Sequence, residues 1–458
     1  MSFLGRFAPS PTGLLHVGNA RTALLNFLHM KSIGGDFLLR IDNTDSTRSK
    51  QEYIGNIKSD LQWLNINWKF EFSQSDRTSR YDEIFNQLLA EGKIYPCFET
   101  PEELQIKSSL MLKMKKPPIY DRASLKLSTE EIDILLNSGK KPHYRFLLDR
   151  VTETWNDGVH NDISIDLSHT SDPVLKRTNG QYTYMLPSTI DDLDYKITHI
   201  IRGDDHIVNT AIQIQIIRAI LRDASIPIFS HVPLMLFKEG KKLSKRNTDI
   251  SLEQIRNKYS QDPMVLSSYL ALLGSTNNIK YHSSLEDIAT KFNLNNCSVA
   301  TPVFDINKIV QLNTYSIRQL DDIAINRLLS PNLEITPEYW NTIRNNISNI
   351  QEVREWWYIF TEQITIPNNI ISTINKDIID NAVLFLPNSF SPQDIKKWST
   401  QILSNSMSCS PRDVFKNLRL SLTGLDYGPE LTTICSFLTH DKVKNRLMYV
   451  IDKLSKII

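Results

Sequence analysis

The chain has 458 residues, 41% of them hydrophobic and 22% charged, with 52 Lys plus Arg against 51 Asp plus Glu. This balance excludes a disordered or fibrous chain, and the length calls for roughly two to four domains. The near-neutral total means that any phosphate-binding surface has to come from local clustering. No apolar run approaches the roughly 18 residues of a membrane span, so no membrane partner is expected. The start, Met1 to Arg6, has no apolar stretch behind a basic one, so no signal peptide is expected. Cys97, Cys297, Cys409 and Cys435 are scattered, with no Cys-x-x-Cys pair. That fits a reducing, cytoplasmic setting, and closely spaced ligands for structural zinc are missing, so no zinc is expected.

In chain order, residues 3–8 are a short strand candidate. Residues 20–31 carry Ala20, Ala23, Leu24, Phe27 and Leu28 at the spacing of a half-buried helix. Residues 37–41 read as a fully buried parallel strand, and Tyr53, Ile54, Ile57, Leu61 and Leu64 return to helical spacing. From 95 to 175 the pattern loosens around Pro101, Pro117, Pro118 and Pro142, while basic residues cluster, as an insertion would. The α/β pattern resumes with a strand at 197–201, a helix at 207–221 and a strand at 232–237. Beyond residue 250 helical segments dominate, ending in a basic amphipathic stretch with Lys442, Lys444, Arg446, Lys453 and Lys456. The fold class expected is α/β then all-α: a Rossmann-like parallel-sheet domain with an insertion, followed by a helical C-terminal region.

The first motif is Arg6-Phe7-Ala8-Pro9-Ser10-Pro11-Thr12-Gly13-Leu14-Leu15-His16-Val17-Gly18-Asn19. A strand runs into a Pro- and Gly-rich turn, and a helix is expected to begin near Asn19 or Ala20. Unpaired N–H groups at such a start favour an anion, Gly18 admits a flat base or a phosphate close to the backbone, and His16 supplies a ring N–H. His-x-Gly-Asn by itself reads better as a tight turn with a capping Asn and a packed histidine. The full string, however, resembles the signature of class I aminoacyl-tRNA synthetases. Its Ala-Pro-Ser-Pro-Thr-Gly part resembles glutamyl-tRNA synthetases, where glutaminyl enzymes carry a Pro-Glu-Pro type of sequence. The second motif, Lys242-Leu243-Ser244-Lys245-Arg246, alone reads as a solvated basic turn. Beside the first it resembles the second class I signature, and Lys245 falls at that family's ATP-contacting lysine. Cations there would stabilise charge moving onto pyrophosphate.

The resemblance to bacterial glutamyl-tRNA synthetases covers nearly the whole chain, and the Arg40 to Asp45 run resembles a subgroup that often occurs in duplicate. It implies a catalytic set of His16, Gly18, Asn19, Lys242, Ser244 and Lys245. Glutamate contacts fall to Arg6, Ser10, Asp42, Tyr184, Ser188 and Arg202, with Arg202 at the side-chain carboxylate and Asp42 at the α-amino group. ATP contacts fall to Ala8, His16, Gly18, Asp205, His206 and Lys245. Arg48, Arg412 and Arg419 are implied tRNA contacts. Three positions depart from the family pattern: Asp42 replaces the common glutamate and is one methylene shorter, Ser188 stands for asparagine, and Asp205-His206 stands for Glu-Trp.

The basic residues of 113–126 and 140–150 are expected to meet acceptor-stem phosphates, a salt-dependent contribution. Leu418 to Gly424 and Gly428 to Leu431 resemble the anticodon-domain signature. Trp356 and Trp357 read as helical core. The resemblance implies a first catalytic half at 1–95, an acceptor-binding insertion at 96–180, a second catalytic half at 181–250, a stem-contact helical domain at 251–315 and a helical anticodon-binding domain at 316–458. It implies a cytoplasmic monomer that uses L-glutamate and ATP with Mg2+ as substrates and tRNA as acceptor, and an activation step that itself requires bound tRNA. The residues leave tRNA(Glu), tRNA(Gln) or both as that acceptor. A small-molecule adenylate-forming enzyme and a catalytically silent tRNA-binding paralogue share parts of the pattern. The helical C-terminal half argues against the former and the intact motifs against the latter.

Overall fold

The computed structural model describes residues 2–223, 225–237, 251–329, 333–407 and 409–457. The chain divides into two compact units, Met1–Ile309 and Val310–Ile458.

In the first unit, strand β1 (Leu4–Phe7) leads through helix α1 (Val17–Ser32) to β2 (Asp36–Ile41). The two strands pair in parallel, Gly5 opposite Phe37 and Phe7 opposite Leu39. Helix α2 (Gln51–Trp63), strand β3 (Phe70–Ser73) and helix α3 (Thr78–Ala90) complete this half. The expected stripe on α1 is buried, but so are Val17, Leu25 and Met30. This helix is covered around most of its circumference rather than half-buried.

The irregular stretch that follows has its own small sheets. Strands β4 (Ile94–Cys97), β5 (His143–Phe146) and β8 (Val174–Lys176) form an antiparallel sheet, and β6 (Thr152–Asp157) and β7 (Asn161–Asp166) form a hairpin. Helices α4 (Pro101–Lys113) and α5 (Thr129–Asn137) bury no residue and are started by reciprocal capping boxes, Thr100 with Glu103 and Ser128 with Glu131.

Helix α6 (Met185–Asp194), strand β9 (His199–Gly203), helix α7 (Ile207–Ile220) and strand β10 (Ile228–Val232) restore the α/β pattern. The central sheet runs β10-β9-β1-β2-β3, all parallel. From β1 the chain builds outward on one side, then crosses back after the insertion and builds on the other. The crevice at that reversal, beyond the carboxyl ends of the strands, is where such sheets hold ligands.

The strand expected at 232–237 lies elsewhere. β10 ends at Val232 because Pro233 has no N–H to continue the ladder. Leu236–Phe237 forms a separate short strand, β11, paired with β12 (Val303–Phe304). Helices α8 (Leu252–Lys258), α9 (Pro263–Leu272) and α10 (Leu285–Lys291) follow β11 in the chain. The buried Arg21 of α1 donates to the carbonyls of Pro233 (3.1 Å) and Leu273 (3.0 Å), tying α1 to the ends of β10 and α9.

The division between units falls within α11 (Ile306–Gln319). In the second unit every element with described residues is helical, from α12 (Asp322–Leu329) to α20 (His440–Ile457). One continuous apolar core includes Trp340, Trp356 and Trp398. Trp356 is fully buried and Trp357 packs against the same cluster, as the sequence suggests. Arg446, read from the sequence as part of a basic face, instead points inward. Its guanidinium donates to the carbonyls of Leu422, Ile359 and Glu362 at 2.5–2.8 Å, so it serves the orphan carbonyls at two helix ends. All four cysteines are free thiols.

Candidate active site

A cleft of about 630 Å³ opens at the carboxyl ends of β1, β2, β9 and β10. The loop after β1 lines it with Ala8, Ser10, His16, Gly18 and Asn19. Asp42 just beyond β2, Tyr184 and Ser188 at the start of α6, and Arg202, Asp205 and His206 around the end of β9 complete the wall, with Arg6 reaching in from β1 itself. Every glutamate- and ATP-contacting residue implied by the sequence and lying within the described residues therefore borders one cleft. Lys242, Ser244 and Lys245 lie outside the described residues.

His16 has a different local task from the one expected. Helix α1 starts at Val17, earlier than Asn19 or Ala20, and His16 is its N-cap. Its Nδ1 accepts from the backbone N–H of Gly18 (3.0 Å) and Asn19 (3.3 Å). Two helix-start donors that the sequence reading left for an anion are thus taken, and the cap is His16 rather than Asn19. A ring that accepts at Nδ1 carries its proton at Nε2, so the neutral imidazole keeps a donor besides its capping contact.

The floor of the cleft is a buried charge cluster that the sequence reading largely missed. Arg40 of β2 and Arg6 of β1 share one carboxylate oxygen: Asp192 Oδ1 accepts from Arg40 Nη1 at 2.8 Å and from Arg6 Nε at 3.2 Å. Arg40 also grips Asp42 with two prongs, Nε to Oδ1 at 2.7 Å and Nη2 to Oδ2 at 3.2 Å. Burial opposes the Arg40 charge, yet Asp42, Asp192 and Asp191 hold it above the ordinary arginine range. Burial raises the Asp42 carboxyl to about 6 against the pull of Arg40, which leaves it ionised at neutral pH. Each Asp42 oxygen retains acceptor capacity for a further donor such as an ammonium.

Helix α6 supplies the counter-charges. Asp191 accepts from Gln74 Nε2 (2.8 Å), Arg77 Nε (2.7 Å) and the Tyr81 hydroxyl (3.0 Å). Ser188 is buried; its hydroxyl accepts from Gln213 Nε2 at 3.0 Å and its carbonyl accepts from Arg40 at 3.3 Å. A signal for Arg40, Asp191 and Asp192 existed in the sequence: ionisable residues inside the otherwise apolar stretches Asp36–Ile41 and Met185–Asp194 need partners.

Arg202 forms the opposite wall. It is buried and lies over the Phe229 ring, and among the described residues it makes no ion pair. Its Nη2 donates to Thr210 Oγ1 (2.5 Å) and its Nε to His231 Nε2 (3.4 Å). Burial and the nearby Arg6 cation lower it to about 10, so it stays charged. A buried cation with no ion pair among the described residues, facing a cleft, has the chemistry to receive an anion. Tyr184 stands at the mouth, its ring edge-on to His206, and loss of hydration raises its phenol to about 12. Burial lowers His206, with the Arg202 charge adding to the effect, so its ring is neutral beside Asp205.

The implied tRNA contacts are scattered. Arg48 lies at the rim of the cleft, paired with Asp45 (2.7 Å). Within the insertion Arg122 and Arg145 face inward, to Asp172 and to its carbonyl, whereas Lys113, Lys115, Lys116, Lys126, Lys140 and Lys141 are exposed. Of the basic residues in 113–126 and 140–150, these lysines and the exposed Arg150 are accessible to phosphates. In the second unit Arg412 is exposed in the first turn of a helix, Pro411–Thr423. Arg419 is half-buried and donates to the Pro429 carbonyl at 2.5 Å, holding the loop in which Gly428 sits against Trp356.

The sheet order and the cleft at its reversal are those of a doubly wound nucleotide-binding fold, and a family model described as "tRNA synthetases class I (E and Q), catalytic domain" matches residues 3–311, which makes this unit a class I synthetase catalytic domain. Glutamate--tRNA ligase 1 of Wolbachia pipientis subsp. Culex pipiens (strain wPip) is 42% identical over 446 residues, covering 97% of this chain and 98% of its own. Glutamate--tRNA ligase 2 of Rickettsia canadensis (strain McKiel) is 39% identical, covering 96% and 98%. The glutamate-tRNA synthetase structure from Elizabethkingia anophelis superimposes with a TM-score of 0.80 at 25% identity, over 99% of this chain and 100% of that one. This chain belongs to the glutamate--tRNA ligase family.

Proposed function

We propose that this chain ligates L-glutamate to the 3′ end of tRNA in two steps, both at this cleft. In the first, the glutamate α-carboxylate attacks the α-phosphate of Mg·ATP. A new P–O bond forms, the bond to pyrophosphate breaks, and glutamyl-adenylate remains. In the second, a terminal ribose hydroxyl of tRNA attacks the mixed anhydride and AMP leaves. The protein contributes orientation and charge rather than a covalent intermediate.

The observation that carries this reading is the buried Arg202, a cation with no carboxylate partner among the described residues, facing the Asp42–Arg40 pair across the cleft. Arg202 takes the side-chain carboxylate of glutamate, Asp42 its ammonium, and Arg6, Ser10, Tyr184 and Ser188 complete that pocket. Ala8, Gly18, Asp205 and His206 receive the adenosine, and His16, Asn19, Lys242, Ser244 and Lys245 the phosphates. Residues 96–180 meet the acceptor end through their exposed lysines. Residues 251–315 meet the stem and 316–458 the anticodon, with Arg48, Arg412 and Arg419 as contacts. The enzyme works as a cytoplasmic monomer; no helix in the described residues is long and apolar enough to cross a membrane.

The test is aminoacylation with labelled glutamate, run on tRNA(Glu) and tRNA(Gln) side by side with the wild type and Lys245→Ala. Charging of either tRNA that collapses in the variant supports the reading and names the acceptor. Equal rates in the two proteins remove Lys245 from the chemistry, and no charging of either tRNA overturns the function.

A further inference from the structure

Behind Arg202, on the side away from the cleft, lies a buried relay. Arg202 and His231 are neighbours across the parallel strands β9 and β10. The His231 ring is fully buried, its Nδ1 2.5 Å from Asp157 Oδ2 and its Nε2 2.7 Å from Thr210 Oγ1. Thr210 Oγ1 accepts in turn from Arg202 Nη2 at 2.5 Å, and Arg202 Nε lies 3.4 Å from the same His231 Nε2. Asp157, at the end of β6, is itself clamped: its Oδ1 accepts the backbone N–H groups of Val159 (3.0 Å), His160 (3.1 Å) and His231 (3.1 Å). The hairpin can come this close because Gly158 has no side chain. A Cβ there would stand 2.2 Å from Ser230 Oγ, and the Gly158 N–H donates to the Phe229 carbonyl at 2.9 Å.

The direction of every bond in this relay follows from one carboxylate. Burial works against the charged form of Asp157, but hydrogen bonds from the His231 ring and from backbone N–H groups outweigh it and bring the carboxyl down to about 2. As an anion it can only accept, so His231 carries its proton on Nδ1. Burial lowers His231, and the Arg202 cation helps keep the ring neutral against the opposing pull of Asp157. Its Nε2 is therefore an acceptor, facing the Thr210 hydroxyl and Arg202 Nε–H. Two of the five guanidinium N–H donors are committed to the relay.

We propose that Asp157 and His231 are positioning residues for amino-acid recognition: Asp157 fixes the His231 tautomer, and His231, directly and through Thr210, sets the Arg202 guanidinium for the ligand's side-chain carboxylate. This rests on the reading of Arg202 given above. It also makes the β6–β7 hairpin of the insertion a supporting part of the amino-acid pocket.

The discriminating variant is Asp157→Asn. The three backbone N–H groups hold the amide oxygen where Oδ1 was, so the amide NH₂ faces His231 Nδ1. That nitrogen must then accept, and the ring proton moves to Nε2, against the Arg202 N–H. Aminoacylation is measured with glutamate varied at saturating ATP and tRNA, together with the KM for ATP and the thermal midpoint. The KM for glutamate rises about ten- to a hundredfold, the loss expected for a charge-assisted buried hydrogen bond, while the KM for ATP stays near wild type; the midpoint falls, because the fold loses the hydrogen-bonded anion. Thr210→Val removes the middle link without touching the hairpin and carries the same expectation, which keeps the proposal testable if Asp157→Asn does not fold. His231→Gln substitutes an amide oxygen for Nε2, and Asp157→Asn added to it costs nothing further, because an amide has no tautomer to set.

Three results would overturn the proposal. If Arg202→Ala raises the KM for glutamate but Asp157→Asn and Thr210→Val do not, Arg202 binds glutamate without the relay. If Arg202→Ala leaves that KM unchanged, the reading of Arg202 fails and the relay with it. If the Asp157 and His231 substitutions add in full, both residues act through fold stability alone.

Discussion

The Asp42 carboxylate and the Arg40 guanidinium face each other as a two-pronged pair across a single intervening residue, with oxygen–nitrogen distances of 2.7 and 3.2 Å. This fixes the carboxylate plane and turns its remaining acceptor capacity toward the cleft. A side chain one methylene shorter than glutamate is thereby held rigidly, which offsets its shorter reach.

The pair predicts a pH dependence. With the Asp42 carboxyl raised to about 6, it is ionised at pH 7 and takes up a proton as the pH falls through that value. Its attraction for an ammonium is then lost, so the KM for glutamate rises on the acid side of pH 6 while kcat changes less. Asp42→Asn raises that KM about tenfold or more at pH 7 and flattens its pH profile between 5 and 7. Initial rates across that window check both; a profile unchanged in the variant would assign the acid limb to another group.

Asp192 predicts a stability effect instead. One of its oxygens serves Arg6 and Arg40 together, and all three side chains are buried. Asp192→Asn keeps the shape and removes the only charge Arg6 is paired with among the described residues. Leaving buried guanidinium groups short of an anion is expected to cost about 3 kcal/mol in denaturant unfolding. A loss below about 1 kcal/mol would mean that water reaches the cluster.

His16 caps helix α1 and is proposed to act on the phosphates as well, and two substitutions separate the two roles. His16→Ala removes the cap, at about 1 kcal/mol, and the ring N–H as well. His16→Asn restores a capping oxygen but no ring. Stability therefore falls in the first variant alone, and kcat falls about a hundredfold in both. If His16→Asn retains full kcat, the histidine is a helix cap and nothing more.

Gly428 predicts the largest effect outside the cleft. It has φ +126°, and a Cβ there would stand 2.1 Å from the Trp356 ring. Gly428→Ala is expected to destabilise the second unit by about 2–4 kcal/mol, from backbone strain and overpacking together. Calorimetry resolving that unit's transition checks this, with Tyr427→Ala as a neighbouring control that leaves the backbone free.

The parts legible in the sequence were those carried by contiguous patterns. Strand β2 and helix α7 were placed almost to the residue, because a buried apolar run and a helical period are local signals. The residues that line the cleft came from the family resemblance, carried over position by position, rather than from a local pattern. Partnerships across the chain were not legible. Arg40 finds Asp192 at a separation of 152 residues and Asp157 finds His231 at 74, and neither distance leaves a local trace. The strand expected at 232–237 failed because its apolar content outweighed Pro233 in the reading, whereas the ladder is stopped by the missing N–H. Arg446 was read as part of a basic face, and Arg419 as a tRNA contact by resemblance; the carbonyls that each serves, at a helix end or a turn, left no signal in the sequence.

The shared carboxylate of Asp192 also orders the events of synthesis. Arg6 and Arg40 emerge with the first half of the sheet, and the acid that neutralises both comes about 150 residues later. Until α6 arrives, Arg40 has Asp42 beside it in its own half, but Arg6 has no carboxylate partner among the described residues of that half. The amino-acid pocket therefore cannot mature before the insertion has been threaded through and the second half docks. A chain truncated before residue 185 would keep the Arg40–Asp42 pair and leave Arg6 without its carboxylate.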